Sequence, residues 1–135
     1  MKPSKEIEAK LREYSADSYP VSHFARAVCK CGHDVFTLAM NEEEGVAVRW
    51  CCHCDDEHGI GDSDDYIDEV ESIEECSCKC KGKEFQIVCG VSLYAKSKDV
   101  RWFYVGCRCV KCGLAGCYGD WKNEYIDYRK LLKRV

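Results

Sequence analysis

The sequence predicts a small, metal-stabilised α+β to mostly β fold, organised as two tandem modules with short flanking helices. Three observations predict it. Thirteen cysteines stand among 135 residues. Much of the chain matches itself when slid by 49 and then by 58 positions. The segments between matching cysteines alternate apolar and polar residues with the period of two that a half-buried strand shows.

The first segment, residues 1–26, carries Ile7, Leu11 and Tyr14 at helical spacing after Ser4, followed by the linker "SADSYP". It reads as an amphipathic helix packed on the first module. The opening twenty residues contain neither the apolar run nor the small-residue cleavage site of a signal peptide. No stretch approaches the roughly 18 apolar residues of a membrane span. The expectation is therefore a cytoplasmic protein with no membrane contact. Disulfides do not persist in a reducing compartment, and an odd cysteine total argues against a complete disulfide framework, so the cysteines point to metal.

The first module, residues 27–75, begins with "CKCGHDVF". Phe36, Leu38 and Met40 alternate with polar or small residues, "NEEEG" turns, and "VAVRW" returns to Cys51: a short hairpin. "GIGD" at 59–62 suits a third strand or turn. Asp62 or Ser63 is then placed to cap an acidic helix through Tyr66, Val70 and Ile73.

The second module, residues 76–135, repeats this plan. Cys29, Lys30, Cys31 and Phe36 fall on Cys78, Lys79, Cys80 and Phe85 at an offset of 49, and Cys51, Cys54, Gly61 and Asp62 fall on Cys109, Cys112, Gly119 and Asp120 at an offset of 58. The nine-residue difference is absorbed by a longer hairpin. Phe85, Ile87, Cys89, Val91 and Leu93 continue the alternation, "AKSKD" turns and "VRWFYVGCR" returns, so both arms lengthen without loss of register. Asp120 is expected to cap a closing helix through Tyr125, Tyr128 and Leu132.

The repeat sorts the cysteines. Cys29, Cys31, Cys51 and Cys54 form one quartet, and Cys78, Cys80, Cys109 and Cys112 the other. Each quartet joins a Cys-x-Cys pair to a Cys-x-x-Cys pair through a hairpin. Two tight turns that each aim two sulfurs at one point are what a tetrahedral zinc ion requires, at about 2.3 Å per bond. Cys52, Cys76, Cys89, Cys107 and Cys117 have no cysteine counterpart. Cys89 reads as a small core side chain. Cys52, Cys107 and Cys117 lie near enough to substitute for a ligand, as do His33, His53 and His58, although the histidines' counterparts are Gly82, Lys111 and Gly116.

This arrangement resembles the zinc-ribbon group over residues 27–121. "CVKCG" at 109–113 matches the usual knuckle of that group, "CKCG" and "CKCK" are one residue shorter, and "CCHCD" lacks the glycine. The resemblance implies two structural zinc ions held by small antiparallel sheets.

Function is read from what the copies do not share. Residues 41–75 carry one basic and fourteen acidic side chains, and residues 76–135 carry thirteen basic and five acidic. Four thiolates leave zinc no open position for substrate, and no catalytic triad or acid–base pair is evident, so a non-enzymatic role is expected. Two such centres, each formally −2, take the net charge from −4 to about −8. That favours a protein partner, a basic one for the acidic run, in an adaptor or an inhibitor of the immunity type. The alternative is association with nucleic acid in transcription or translation, through Lys96, Lys98 and Arg101 with Trp102 and Tyr104 as stacking platforms.

Overall fold

The computed structural model describes residues 3–135 and is a mostly β protein with two helices. Helix α1 spans Pro3–Ser15, followed by strands β1 (His23–Arg26), β2 (Phe36–Asn41), β3 (Val46–Cys51) and β4 (Glu57–Gly59). After two single-turn 3-10 segments come β5 (Glu74–Glu75), β6 (Phe85–Leu93), β7 (Val100–Cys109), β8 (Ala115–Lys122) and helix α2 (Tyr128–Leu132).

The repeat seen in the sequence is a repeat of strand geometry. Within the β2–β3 hairpin Phe36 faces Cys51, and within β6–β7 Phe85 faces Cys109, its equivalent pair. The third strands match as well: Val48 faces Gly59, and Gly106 faces Cys117. Each copy is thus an antiparallel three-stranded unit, the second with longer arms.

The two units are joined edge to edge. Strands run in the order β4-β3-β2-β6-β7-β8, with β1 paired to β6 and β5 paired to β2. The junction is the antiparallel pair Phe36–Phe85. These two residues are equivalents of one another, an arrangement that a local two-fold axis between the copies produces. Both phenylalanines are fully buried in one cluster that also contains Leu38, Ile60, Ile87, Val91, Phe103, Val105 and Leu131. A single core therefore serves both units.

Alternation along β6 and β7 divides the sheet into two faces. Ile87, Cys89, Val91, Phe103, Val105 and Cys107 face the shared core. Val88 and Tyr104 face the other way, where Ile7 and Leu11 of α1 cover them. The helix packs on the second unit and not, as expected, on the first, with contacts to β6, β7 and β8. Gly106 explains the choice. A Cβ there would lie 2.6 Å from Ile7 Cγ2 and 3.0 Å from Leu11 Cδ1, so only glycine lets the helix settle this close. Tyr14, at 55% exposure, packs less than its spacing suggests; its hydroxyl donates to Asp120 Oδ1 at 2.8 Å.

Two further helix expectations give way. The acidic run forms 3-10 turns at Ser63–Asp65 and Ile67–Glu69 and then the short strand β5. A regular helix there would stack Asp64 on Asp68, Asp65 on Glu69 and Glu71 on Glu75, like charges four residues apart. Asp62 makes no side-chain cap, while buried Ser63 accepts from Ala47 N at 3.0 Å and donates to Ile60 O at 2.6 Å. The closing helix starts later than expected. Asp120 lies within β8, and Asp127 caps α2 by accepting from Arg129 N at 3.1 Å.

Candidate metal centres

Each proposed quartet converges. The Sγ atoms of Cys29, Cys31, Cys51 and Cys54 all lie within 4.8 Å of one another, as do those of Cys78, Cys80, Cys109 and Cys112. Cys29 to Cys54 measures 3.5 Å and Cys31 to Cys51 3.6 Å; Cys78 to Cys112 and Cys80 to Cys109 repeat these values. Four sulfurs around one tetrahedral ion at 2.3 Å stand about 3.8 Å apart. Both groups therefore have the donor set and the spacing to hold a metal ion.

The local backbone explains how. In the first knuckle of each copy, Cys29 N donates to His33 O and Cys78 N to Gly82 O, both at 2.8 Å, and the turn closes with Gly32 N to Cys29 O and Lys81 N to Cys78 O, again 2.8 Å. The residue after the second cysteine must then take a positive φ, and Gly32 (91°) and Lys81 (74°) do. In the second knuckle, Asp55 N reaches Cys51 O and Gly113 N reaches Cys109 O, with φ of 63° and 81°. Glycine fits that conformation freely at 113, whereas Asp55 is among the residue types that tolerate it, so the missing glycine of "CCHCD" is accommodated. Cys52 N to Val35 O and Val110 N to Glu84 O, both 3.0 Å, tie the two knuckles of each copy together at equivalent positions.

Amide hydrogen bonds also prepare the sulfurs. The backbone N–H groups of Cys54 and His53 draw the Cys51 thiol down to about 6, and that of Cys80 draws Cys78 down to about 6. Cys54 moves the other way: the Asp56 amide pulls it down, but the thiol of Cys29, burial and its other neighbours outweigh it and carry it to about 12. Crowding four thiols forces this split, since adjacent sulfurs cannot all ionise without a cation between them.

The five cysteines outside the repeat are chemically different. Burial drives Cys89 and Cys107 far above the ordinary thiol range. It also pushes Cys52 and Cys76 to about 11 and Cys117 to about 12. None of the five falls in either cluster among the described residues. His33 and His53 stack beside the first quartet with ring centroids 3.7 Å apart, and His33 Nδ1 lies 3.4 Å from Cys31 Sγ. That contact orients the sulfur from outside the quartet. His58 is turned away, bonded to Arg134 O at 2.6 Å.

Sequence reasoning left two charged residues of this region without a role. Lys30, between the first two cysteines, pairs with Asp56 at 3.1 Å and so clamps the two knuckles of the first site together. Arg49 is buried, stacks 4.4 Å over Phe36 and donates to Val135 O at 2.9 Å. Burial lowers its affinity for the proton, while negative charge on the sulfur of Cys29 and on the carboxylate of Asp56 helps hold its own. Its counterpart in the second copy is Cys107. A charged residue at an inward position of β3 was the available signal.

The basic hairpin is more occupied than expected. Lys96 and Lys98 are exposed at its tip. Arg101 lies over the rings of Tyr19 and Tyr94, 4.1 and 5.6 Å from their centroids. Trp102 is half-buried against Tyr19, and its indole donates to Asp120 Oδ2 at 2.8 Å. Tyr104 is fully buried and donates to Tyr19 O at 2.6 Å, so it is a core residue beneath α1 and no stacking platform.

No helix among the described residues is long and apolar enough to cross a membrane. No family model, curated protein or solved structure matches the chain.

Proposed function

We propose that the two quartets hold structural zinc ions in tandem zinc-ribbon-like units, and that the protein is a non-catalytic cytoplasmic module that acts by binding a basic protein partner. An adaptor or an immunity-type inhibitor fits this role. The donor set supports zinc: four thiolates in a closed tetrahedral arrangement suit that ion and leave no position for a substrate or an activated water. When bound, the ion supplies a cross-link between the knuckles. The residues of the chain supply the amide hydrogen bonds and the surface.

The observation that carries the binding role is the acidic run. All seven carboxylates between residues 64 and 75 are exposed, and among the described residues only Asp65 and Glu75 form ion pairs, with Arg134 at 3.3 Å and Lys83 at 3.5 Å. Such a surface accelerates and orients association with a cationic partner. Nucleic-acid association through Lys96, Lys98 and Arg101 is the second reading. Its support is those cations alone, since Trp102 and Tyr104 are engaged within the fold.

The test compares a fluorescent lysine- and arginine-rich peptide with labelled single-stranded and duplex oligonucleotides, by anisotropy at low and moderate salt. Salt-sensitive binding of the peptide, with no response from the oligonucleotides, is expected. Tight oligonucleotide binding with no peptide binding would reverse the order of the two readings.

A further inference from the structure

The acidic run of the first unit and the closing strand of the second meet at a pocket of about 310 Å³. Its wall includes Glu44 and Gly45 from the β2–β3 turn, Asp62 and Asp65, and Trp121 and Asn123 from the end of β8 and just beyond. Two polar atoms there have no partner among the described residues: the indole Nε1 of Trp121 and the amide Oδ1 of Asn123. Each side chain is only 7% exposed. A buried polar group left unpaired is costly, so two of them on residues of one wall call for a ligand.

The two atoms are of opposite kind. Trp121 Nε1–H can only donate. The Asn123 amide is oriented by its Nδ2, which donates to Asp62 Oδ2 at 3.0 Å and leaves Oδ1 to accept. Gly45 turns the chain at a φ of 71°, and its missing side chain leaves space beside the indole. A Cβ at that position would stand 3.0 Å from Trp121 Cδ1 and 3.3 Å from Nε1.

The wall is also negative. Asp65 is neutralised by Arg134 and Glu124 by Lys122 at 3.0 Å, but Glu44 and Asp62 form no ion pair among the described residues. Burial holds the Asp62 carboxyl above its usual range, outweighing the Asn123 hydrogen bond and the more distant charge of Arg134. These charges exclude an anion. A metal ion is disfavoured too, because the carboxylates do not converge on one point and an N–H donor shares the wall.

A cation joined to a peptide group satisfies every feature at once. Its carbonyl accepts from Trp121 Nε1, its N–H donates to Asn123 Oδ1, and an ammonium or guanidinium lies against Asp62 and Glu44. We propose that this pocket is the docking site for a lysine or arginine residue of a protein partner. The proposal rests on the protein-binding role above and gives that role an address.

The test titrates the ¹⁵N-labelled, zinc-loaded full chain with the N-acetyl, N-methylamide derivatives of lysine and arginine. The indole N–H signal of Trp121, assigned with Trp121→Phe, reports occupancy. Expected is a saturable shift of that signal and of the Asn123 side-chain amide, absent with the uncharged norleucine derivative. Asp62→Asn, which keeps the volume, should weaken binding about tenfold or more, the loss of one charge-assisted hydrogen bond. Glu44→Gln, which keeps the volume and the turn backbone, should also weaken binding while the zinc content and the remaining spectrum stay native. A still Trp121 signal, an equal response to norleucine or to methylammonium, or full binding by the Asp62→Asn protein would overturn the proposal. If the Trp121 signal stays still while the basic peptide binds in the anisotropy assay, the pocket assignment alone fails; if neither probe binds, the protein-binding role fails with it.

Discussion

Cys109 and Cys107 sit two residues apart on one face of β7, both with no solvent exposure, yet the structure gives them opposite roles. Cys109 lies 3.6 Å from Cys80 within the second quartet. Cys107 faces Ile87 and Gly116 across the sheet and belongs to the core. Replacing Cys109 with serine exchanges a thiolate for a hydroxyl that stays protonated at neutral pH. Residues that merely hydrogen-bond to metal ligands change affinity by about 10- to 100-fold, so loss of a ligand costs at least about 100-fold, or about 2.7 kcal/mol. In a domain of this size that corresponds to a fall in Tm of about 10 °C. Cys107→Ala removes one buried group of methylene size, about 1 kcal/mol, and no ligand. Mass-spectrometric zinc counting with a thermal melt separates the two. The Cys109→Ser chain should retain one tightly held zinc and the Cys107→Ala chain two. Two zincs in the first with one in the second would refute both the ligand assignment and the register on which it stands.

Zinc affinity should weaken as pH falls from 8 to 6. At neutral pH thiols such as Cys54, held at about 12, release protons on binding, and below 6 even Cys51 and Cys78 take protons up; a chelator competition giving equal affinities at both pH values would contradict this. Gly106→Ala should destabilise the fold by about 1–3 kcal/mol through overpacking against Ile7 and Leu11, read from a urea titration, with zinc content unchanged. Because Phe36 and Phe85 share one core, stripping metal with a chelator should unfold both units in one cooperative transition by circular dichroism. Two well-separated transitions would show that the units stand alone.

Local patterns were legible in the chain where chemistry acts locally. Alternation identified the inward residues of β6, and the repeat set Phe36 at the position of Phe85 and Cys51 at that of Cys109, equivalents that the strand register then pairs in the same way. Both quartets followed from the same alignment. What escaped depends on distant surfaces. The apolar stripe of α1 declares which face is buried and not what covers it; the answer lay in Gly106, a hundred residues away. Tyr104 reads as an exposed aromatic of a basic hairpin until α1 is laid over it. The pairing of Phe36 with Phe85 carries no periodic signal because it is a single contact between strand ends. Trp121 and Asn123 acquire meaning only when the β2–β3 turn is brought beside them. In the acidic run, repulsion between like charges overrode the spacing of Tyr66, Val70 and Ile73.

The Phe36–Phe85 junction has a consequence for how such a chain can arise. An edge on which a residue meets its own equivalent is self-complementary, so a chain bearing one copy would pair with a second identical chain through that same edge. Joining the copies covalently makes the association independent of concentration and frees each half from having to match the other. In this chain one half is acidic, while the other carries the longer hairpin and is covered by the helix. Unlike surfaces on a symmetric frame are what a duplicated gene can explore and a homodimer cannot.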